Sequence, residues 1–421
     1  MKKIFANLTY TISKYFFPFY KNKDVKILFK ILEDGKPKDK EVAMFVGGCV
    51  RNYLKSKKID DIDIATIFTP DEIKKKLQHS NFKVIDTGID HSSVTVIHDQ
   101  TKFEVTTLRK DLKTDGRHAE IETINDWKED SKRRDFTINA IYLNKKGKLF
   151  DPQQGVNDLS NNIVKFIGDP QTRIEEDFLR IIRFLRFTIQ YDSSVERSTL
   201  QALKLNLNGI KNLSKERVLS ELLKILKLEN FFKITENKEL LEIFTLIFPE
   251  FENIYRLKNF KFIKNQIENS RLLLLSVLLI DLKNNHEYFC HKYKLSNNMH
   301  DKLNLIGNKF KDLRSDKEFF KKKLRSNLYN VGVKNLEILF SLHLLDKKKI
   351  STNEINLFKT IKKMSVPKFP FNGKILLERG IKEGKKIGII LKEAEKTWIN
   401  NNFSLSSEEF EIIIKKNTLI D

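Results

Sequence analysis

The chain of 421 residues is long enough for about two to four domains, each with a core of its own. Its 78 lysines and arginines outnumber 56 aspartates and glutamates, giving a formal net charge of +22. That excess points to a polyanionic partner, because neutralised phosphates release their condensed counterions. The only cysteines, Cys49 and Cys290, exclude a disulfide scaffold or a zinc-type cluster and suit a reducing compartment.

In chain order, residues 1–20 begin basic and carry aromatic side chains. Asn7, Thr9, Thr11, Ser13 and Lys14 interrupt the apolar run, so no signal segment or membrane span is expected. The stretch reads as an N-terminal helix. Short strands are expected at Val42–Val46, Ile62–Thr66, Phe82–Asp86, Ser93–His98 and Lys102–Leu108. A helix at Pro70–His79 opens on Thr69, with proline in its first turn. Beyond about residue 170 the strand signals fade. Amphipathic helices are predicted at Glu175–Ile189, Ser194–Leu205, Ser214–Leu226 and Lys238–Ile247, and the Leu/Ile/Phe/Lys-rich remainder reads as packed helices. The predicted class is α+β, a small head with a mixed sheet and flanking helices followed by an all-α body.

The run GGCVRNYLKSKKIDDIDIAT, residues 47–66, carries the first chemistry. It reads as a glycine turn, a short helix and a strand bearing Asp61 and Asp63. Side chains alternate across a strand, so these two carboxylates share a face while Ile62 and Ile64 turn inward. Such a pair repels itself unless a cation sits between, and Mg²⁺ prefers oxygen ligands. Gly47 and Gly48 let backbone amides approach an anion, with Arg51 one turn on. An anion cradle beside a carboxylate pair suits a nucleoside triphosphate. The order and spacing resemble the first motif of the DNA-polymerase-β-like nucleotidyltransferases, in the class that includes bacterial-type tRNA CCA-adding enzymes and poly(A) polymerases.

Further segments strengthen the resemblance. In KFEVTTLR, Glu104 lies opposite Phe103 and Val105, and the family places a carboxylate there to complete or support the metal site. Residues 109–130 form a polar, turn-rich stretch similar to the family's flexible loop. The resemblance assigns Arg134 of RRDFTINA to the triphosphate and Asp135 with Asn139 to the ribose, the planar guanidinium pairing well with phosphate oxygens. DPQQGVNDL, residues 151–159, reads as a turn and helix cap. LSKERV, residues 213–218, resembles a helix-bracing motif with Glu216 and Arg217. Gly373–Ile399 is similar to the tail of mitochondrial-type relatives, or equally to an ordinary helical hairpin. His300-Asp301, with His286 and His291 nearby, forms no recognisable metal set.

EEDFLRIIRFLRF, residues 175–187, reads as a helix with Phe178, Ile181, Ile182 and Leu185 buried. Asp177 and Arg180 would then share one polar face, with Arg183 and Arg186 continuing around it. Cytosine and adenine both present an amine donor beside a ring-nitrogen acceptor. A carboxylate and a guanidinium match that pattern, whereas uracil and guanine invert it. Mispaired buried polar groups cost on the order of 1–3 kcal/mol each, so one Asp-Arg pair could admit CTP and ATP alone.

The motifs resemble the CCA tRNA nucleotidyltransferase family over residues 42–218, and the family implies a catalytic head over 1–148, a base-selecting neck over 149–228 and a tRNA-binding body and tail over 229–421. It also implies two-metal phosphoryl transfer with Mg²⁺ on Asp61 and Asp63 and with Glu104 in support. Gly48, Arg51, Arg134, Arg183 and Arg186 would face the phosphates. The expected partners are tRNA, CTP and ATP, with no membrane and no stable protein partner. The expected location is the bacterial-type cytoplasm, with an organelle matrix, reached by a presequence, as the less favoured alternative. Poly(A) synthesis, partial CC or A addition, and a non-catalytic tRNA-binding role are the rival readings. Asn52 departs from the family's usual Asp, and a local hydrogen bond is expected to survive there.

Overall fold

The computed structural model describes residues 22–37, 40–59, 61–88, 92–114, 119–265, 267–268, 270–382 and 384–418. The expected N-terminal helix lies outside these residues, as does the tip of the polar loop at 115–118. The chain forms two compact units, Met1–Ile247 and Phe248–Asp421.

The first unit opens with α1 (Lys23–Leu32), whose first turn is capped by the Asn22 side chain accepting from the amides of Asp24 and Val25. Then come β1 (Ala43–Val46), α2 (Gly48–Leu54), β2 (Ile62–Thr66) and α3 (Pro70–Leu77). Thr69 and Glu72 close a reciprocal capping box on α3, which explains its sharp start. β3 (Lys83–Gly88), β4 (Ser93–His98) and β5 (Thr101–Thr107) follow, then β8 (Tyr142–Leu143) and β9 (Leu149–Phe150) after the hairpin described next. These strands join β1 and β2 in a seven-stranded sheet ordered β3-β4-β5-β2-β1-β8-β9. β2 runs parallel to β5 and the other neighbours are antiparallel, so the sheet is mixed as expected.

The polar stretch after Leu108 departs from the expected loop. β6 (Arg109–Thr114) pairs antiparallel with β7 (Ala119–Thr123) as a separate two-stranded ribbon. Cross-strand backbone bonding organises these charged residues despite their poor strand propensity. The helix α4 (Trp127–Lys132) then lays Trp127 against a cluster of Met44, Val46, Ala65, Leu108 and Tyr142 on the sheet.

A 3₁₀ turn (Thr137–Asn139) and α5 (Gly155–Ser160) lead to α6 (Pro170–Glu176), α7 (Leu179–Tyr191), α8 (Arg197–Leu205), α9 (Lys215–Leu226) and α10 (Lys238–Ile247). Asp151 accepts from the amides of Gly155 and Val156, the cap expected of that motif. Aromatic packing fixes α7 against the head. Phe136 meets Phe166 and Phe187 at 4.9 and 5.4 Å between ring centroids, and Phe166 stacks on Phe184 at 5.3 Å.

The predicted single helix over 175–189 is two helices. Asp177 takes an extended conformation (φ −156°, ψ 104°) between α6 and α7, and its carboxylate accepts from the Leu179 amide at 3.1 Å. An aspartate that bonds a nearby backbone amide competes with the helix and starts a new one. Asp177 and Arg180 therefore do not share a helix face, and Phe178 is only half-buried while Ile181, Ile182 and Leu185 are buried.

The second unit is helical in its described residues: α11 (Leu257–Ile263), α12 (Arg271–Leu279), α13 (Asn285–Lys292), α14 (Asn297–Ser315), α15 (Leu324–Leu345), α16 (Thr352–Lys363), α17 (Gly373–Glu378), α18 (Lys385–Asn400) and α19 (Ser407–Thr418). Arg256, which is buried, donates to Asp346 at 2.7 Å, to the carbonyl of Val277 in the last turn of α12 and to that of Ile280 just past its end. The segment similar to a family tail forms α17 and α18, packed through Leu376, Ile390 and Ala394 on Phe410. Among the described residues, no helix is long and apolar enough to cross a membrane.

Candidate active site

The parallel pairing of β2 with β5 sets Asp63 opposite Glu104. Asp61 immediately precedes β2 rather than lying within it. Asp61, Asp63, Glu104, Lys102, Gly48 and Asn52 line one cavity of about 410 Å³. Burial pushes the Asp63 carboxyl above its ordinary value; Arg134 opposes the rise, and Asp61 and Glu104 add to it. The Cys49 thiol donates to the backbone oxygens of Val46 and Asp63, and burial pushes its pKa up to about 12. It is a structural thiol, with no thiolate at neutral pH.

Gly47 has φ +74°, a left-handed conformation that glycine adopts without cost. A Cβ there would stand 3.3 Å from an Asp63 carboxylate oxygen, so the turn lies directly against the carboxylates. Arg51, on α2, is buried. Its Nε donates to the Tyr191 hydroxyl at 2.9 Å, its Nη1 donates to Asn139, and its guanidinium lies 4.7 Å from the centre of the Phe187 ring. The Asn52 side chain donates to the Lys58 carbonyl at 2.9 Å, the local bond expected of it.

Arg134 is held by Asp130 at 3.1 Å and by the Tyr142 hydroxyl at 3.0 Å. Burial alone would raise the Asp130 pKa, but Arg134 and Arg133, helped by Tyr142, hold it well below the usual carboxylate range. Asp135 accepts from Asn139 at 2.7 Å and from Arg183 at 2.8 Å. It too is held low, the Arg183 charge and the Asn139 bond outweighing burial. Arg186 donates to Glu221 at 2.8 Å and stacks 4.0 Å from the Phe187 ring centre, while Arg183 reaches the other Glu221 oxygen at 3.6 Å. Burial would raise Glu221, yet Arg186 and Arg183 pull its pKa below normal.

One continuous polar chain thus runs Tyr191–Arg51–Asn139–Asp135–Arg183–Glu221–Arg186 from the head to the neck helices. The charges of Asp177 and Arg180 act on Arg183 and Asp135 of this polar chain, but their own hydrogen bonds go elsewhere. The Asp177 carboxylate accepts from Arg217 at 2.9 Å, and Arg180 pairs with Glu176 and with the Arg173 carbonyl. Arg217 braces the helix break as its motif implies, and Glu216 is exposed in the first turn of α9.

Residues 43–165 match the family described as Poly A polymerase head domain, and residues 194–255 match the Probable RNA and SrmB- binding site of polymerase A. The chain is 31% identical over 399 residues to CCA tRNA nucleotidyltransferase 1, mitochondrial, of Danio rerio, covering 86% of this chain and 84% of that protein. It is 33% identical to the CCA-adding enzyme of Ligilactobacillus salivarius (strain UCC118), covering 90% and 92%. This chain belongs to the CCA tRNA nucleotidyltransferase family. Its fold is shared with the Bacillus stearothermophilus CCA-adding enzyme in complex with CTP (TM-score 0.72, 22% identity, 96% of this chain and 98% of that one). It is also shared with the Thermotoga maritima CCA-adding enzyme complexed with tRNA (TM-score 0.64, 20% identity, 94% and 96%).

For this CCA tRNA nucleotidyltransferase family member, sequence reasoning missed Glu221, Tyr191, Asp130, Tyr142 and Lys102. Glu221 left a signal. Val218, Glu221, Leu222 and Ile225 follow the i, i+3, i+4, i+7 stripe of an apolar face, and a carboxylate on such a stripe needs buried cations. Tyr191 likewise falls four residues beyond Phe187, on the same face of α7. Asp130 left a signal too, standing three and four residues before Arg133 and Arg134 as on one helix face. Tyr142 gave none, since its meeting with Arg134 depends on the sheet.

Proposed function

We propose that this chain adds C, C and A in turn to the 3′ end of tRNA from CTP and ATP, releasing pyrophosphate without a nucleic-acid template. The observation that carries this reading is the grouping of Asp61, Asp63 and Glu104 in one cavity beside Arg51 and Arg134. Membership of the CCA tRNA nucleotidyltransferase family supports the choice of substrates.

Mg²⁺ fits this donor set, because the cavity offers carboxylate oxygens, and a hard cation would offset both the burial that raises Asp63 and the repulsion from Asp61 and Glu104 that adds to it. When bound by Asp61 and Asp63, with Glu104 in support, it would supply Lewis-acid activation of the 3′-hydroxyl and neutralise the triphosphate. Gly48, Arg51, Arg134, Arg183 and Arg186 orient the phosphates, and Asp135 with Asn139 borders the ribose. The carboxylate partners of Arg134, Arg183 and Arg186, and the neutral partners of Arg51, fix the guanidinium planes before substrate arrives, which lowers the ordering cost of binding. Asp177 and Arg180 choose the base by exchanging their contacts to Arg217 and Glu176 for the amine and ring nitrogen of C or A.

Residues 1–148 serve as the catalytic head, 149–228 as the neck, and 229–421 as the body and tail that hold tRNA by its phosphates and shape. The two buried free cysteines fit the reducing cytoplasm as the place of action.

The deciding experiment supplies tRNA ending in the discriminator base with radiolabelled CTP, ATP or both. Two C residues followed by one A supports the reading. Long A tails from ATP alone would replace it with poly(A) synthesis, CC or A alone with partial addition, and no incorporation with a binding role.

A further inference from the structure

We infer that Tyr191 is a positioning residue for the triphosphate grip, setting the plane of the Arg51 guanidinium from the neck. The inference rests on the reading above in which Arg51 meets the triphosphate.

Arg51 is anchored at two of its three nitrogens. Nε donates to the Tyr191 hydroxyl at 2.9 Å, and Nη1 donates to Asn139. Because a guanidinium is planar and rigid, two anchored nitrogens determine where the third points. That third nitrogen, Nη2, lies on the side of Gly48, where an added Cβ would come within 3.9 Å of it. Gly48 lines the carboxylate cavity, so the unanchored edge of the fork is presented toward the place where a triphosphate would rest.

Tyr191 is suited to hold that orientation. It is 6% exposed and its ring lies nearly parallel to Phe187 at 6.5 Å, the same ring over which Arg51 sits. Burial pushes its hydroxyl pKa up, against the pull of Arg51, so the group remains a neutral phenol. A neutral acceptor fixes the guanidinium without competing with phosphate for its charge, as a carboxylate would. Tyr191 also ends α7, the helix that carries Arg183 and Arg186, so that helix fixes the cation of the head as well as its own.

Tyr191→Phe keeps the ring and removes only the acceptor. The expected result is a rise of about tenfold in KM for CTP and ATP alike, the size of losing one hydrogen bond to a charged group, with kcat and the KM for tRNA little changed. The same substitution in an Arg51→Ala background should add nothing, which is the mark of action through Arg51. Circular dichroism and melting confirm that each variant is folded, and Arg51→Lys substitutes where Arg51→Ala is not. An unchanged nucleotide KM in folded Tyr191→Phe would overturn the inference. So would a penalty that persists undiminished without Arg51, or a drop in melting temperature with normal kinetics. If the unsubstituted chain incorporates no nucleotide at all, the functional reading fails instead, and the two failures are distinct.

Discussion

Asp63 on β2 and Glu104 on β5 occupy directly paired positions on neighbouring parallel strands, with Asp61 entering the same cavity. A sheet places paired side chains on one face about 5 Å apart, too close for like charges at rest. The Asp63 pKa rises chiefly because the carboxyl is buried, and the neighbouring charges of Asp61 and Glu104 add to that rise.

Asp63→Asn should therefore abolish nucleotide incorporation while making the metal-free protein more stable at neutral pH. A raised carboxyl pKa means that the folded state holds the proton more tightly than the unfolded one. The group's favourable contribution is complete below its ordinary 3.8 and is lost as pH rises through the folded value. The gain in Asp63→Asn should accordingly be present at pH 7 and vanish toward pH 4. Magnesium at a hundredfold over its dissociation constant should stabilise the unsubstituted protein by about 2.7 kcal/mol and leave the variant unmoved. Melting curves in EDTA and in Mg²⁺ test both statements, and a magnesium-stabilised variant would refute the assignment of Asp63.

Glu221→Gln should be costly for stability. It leaves Arg183 and Arg186 without their shared carboxylate, and breaking a buried ion pair from one side costs roughly 3–5 kcal/mol. Because the pKa of Glu221 is lowered, its contribution is full above 4.5 and fades as pH falls through the folded value. Urea denaturation should show the gap between the two proteins narrowing below pH 4.5. A gap that stays constant with pH would mean that packing, not charge, holds this carboxylate.

Asp177→Ala should relax base choice more than it slows addition. Losing the acceptor for the exocyclic amine should cut the preference in kcat/KM for CTP over UTP by about tenfold or more, with tRNA affinity preserved. Competition between labelled CTP and UTP gives the ratio. Undiminished selectivity would place base selection elsewhere in the neck.

The site was legible in the sequence where chemistry depends on local spacing. The D-x-D strand, the glycine turn before Arg51 and the alternation that turns Glu104 away from Phe103 are all patterns of a few residues. The helix over 175–189 was misread because apolar periodicity continues through Asp177, while its side chain bonds the Leu179 amide and breaks the helix. The polar stretch at 109–123 hid a ribbon, since pairing between strands is not encoded in the composition of either one.

By itself the amino-acid order determined the class of fold, the acidic pair and the arginine-bearing neck, because periodicity and short motifs act over one or two turns of chain. Only the tertiary structure decided which partner each arginine keeps. Tyr191 lies 140 positions from Arg51, and Glu221 lies 35 from Arg186. Such pairings follow from how the sheet and the neck helices pack, and buried charges then take whichever opposite or neutral partners that packing brings within reach.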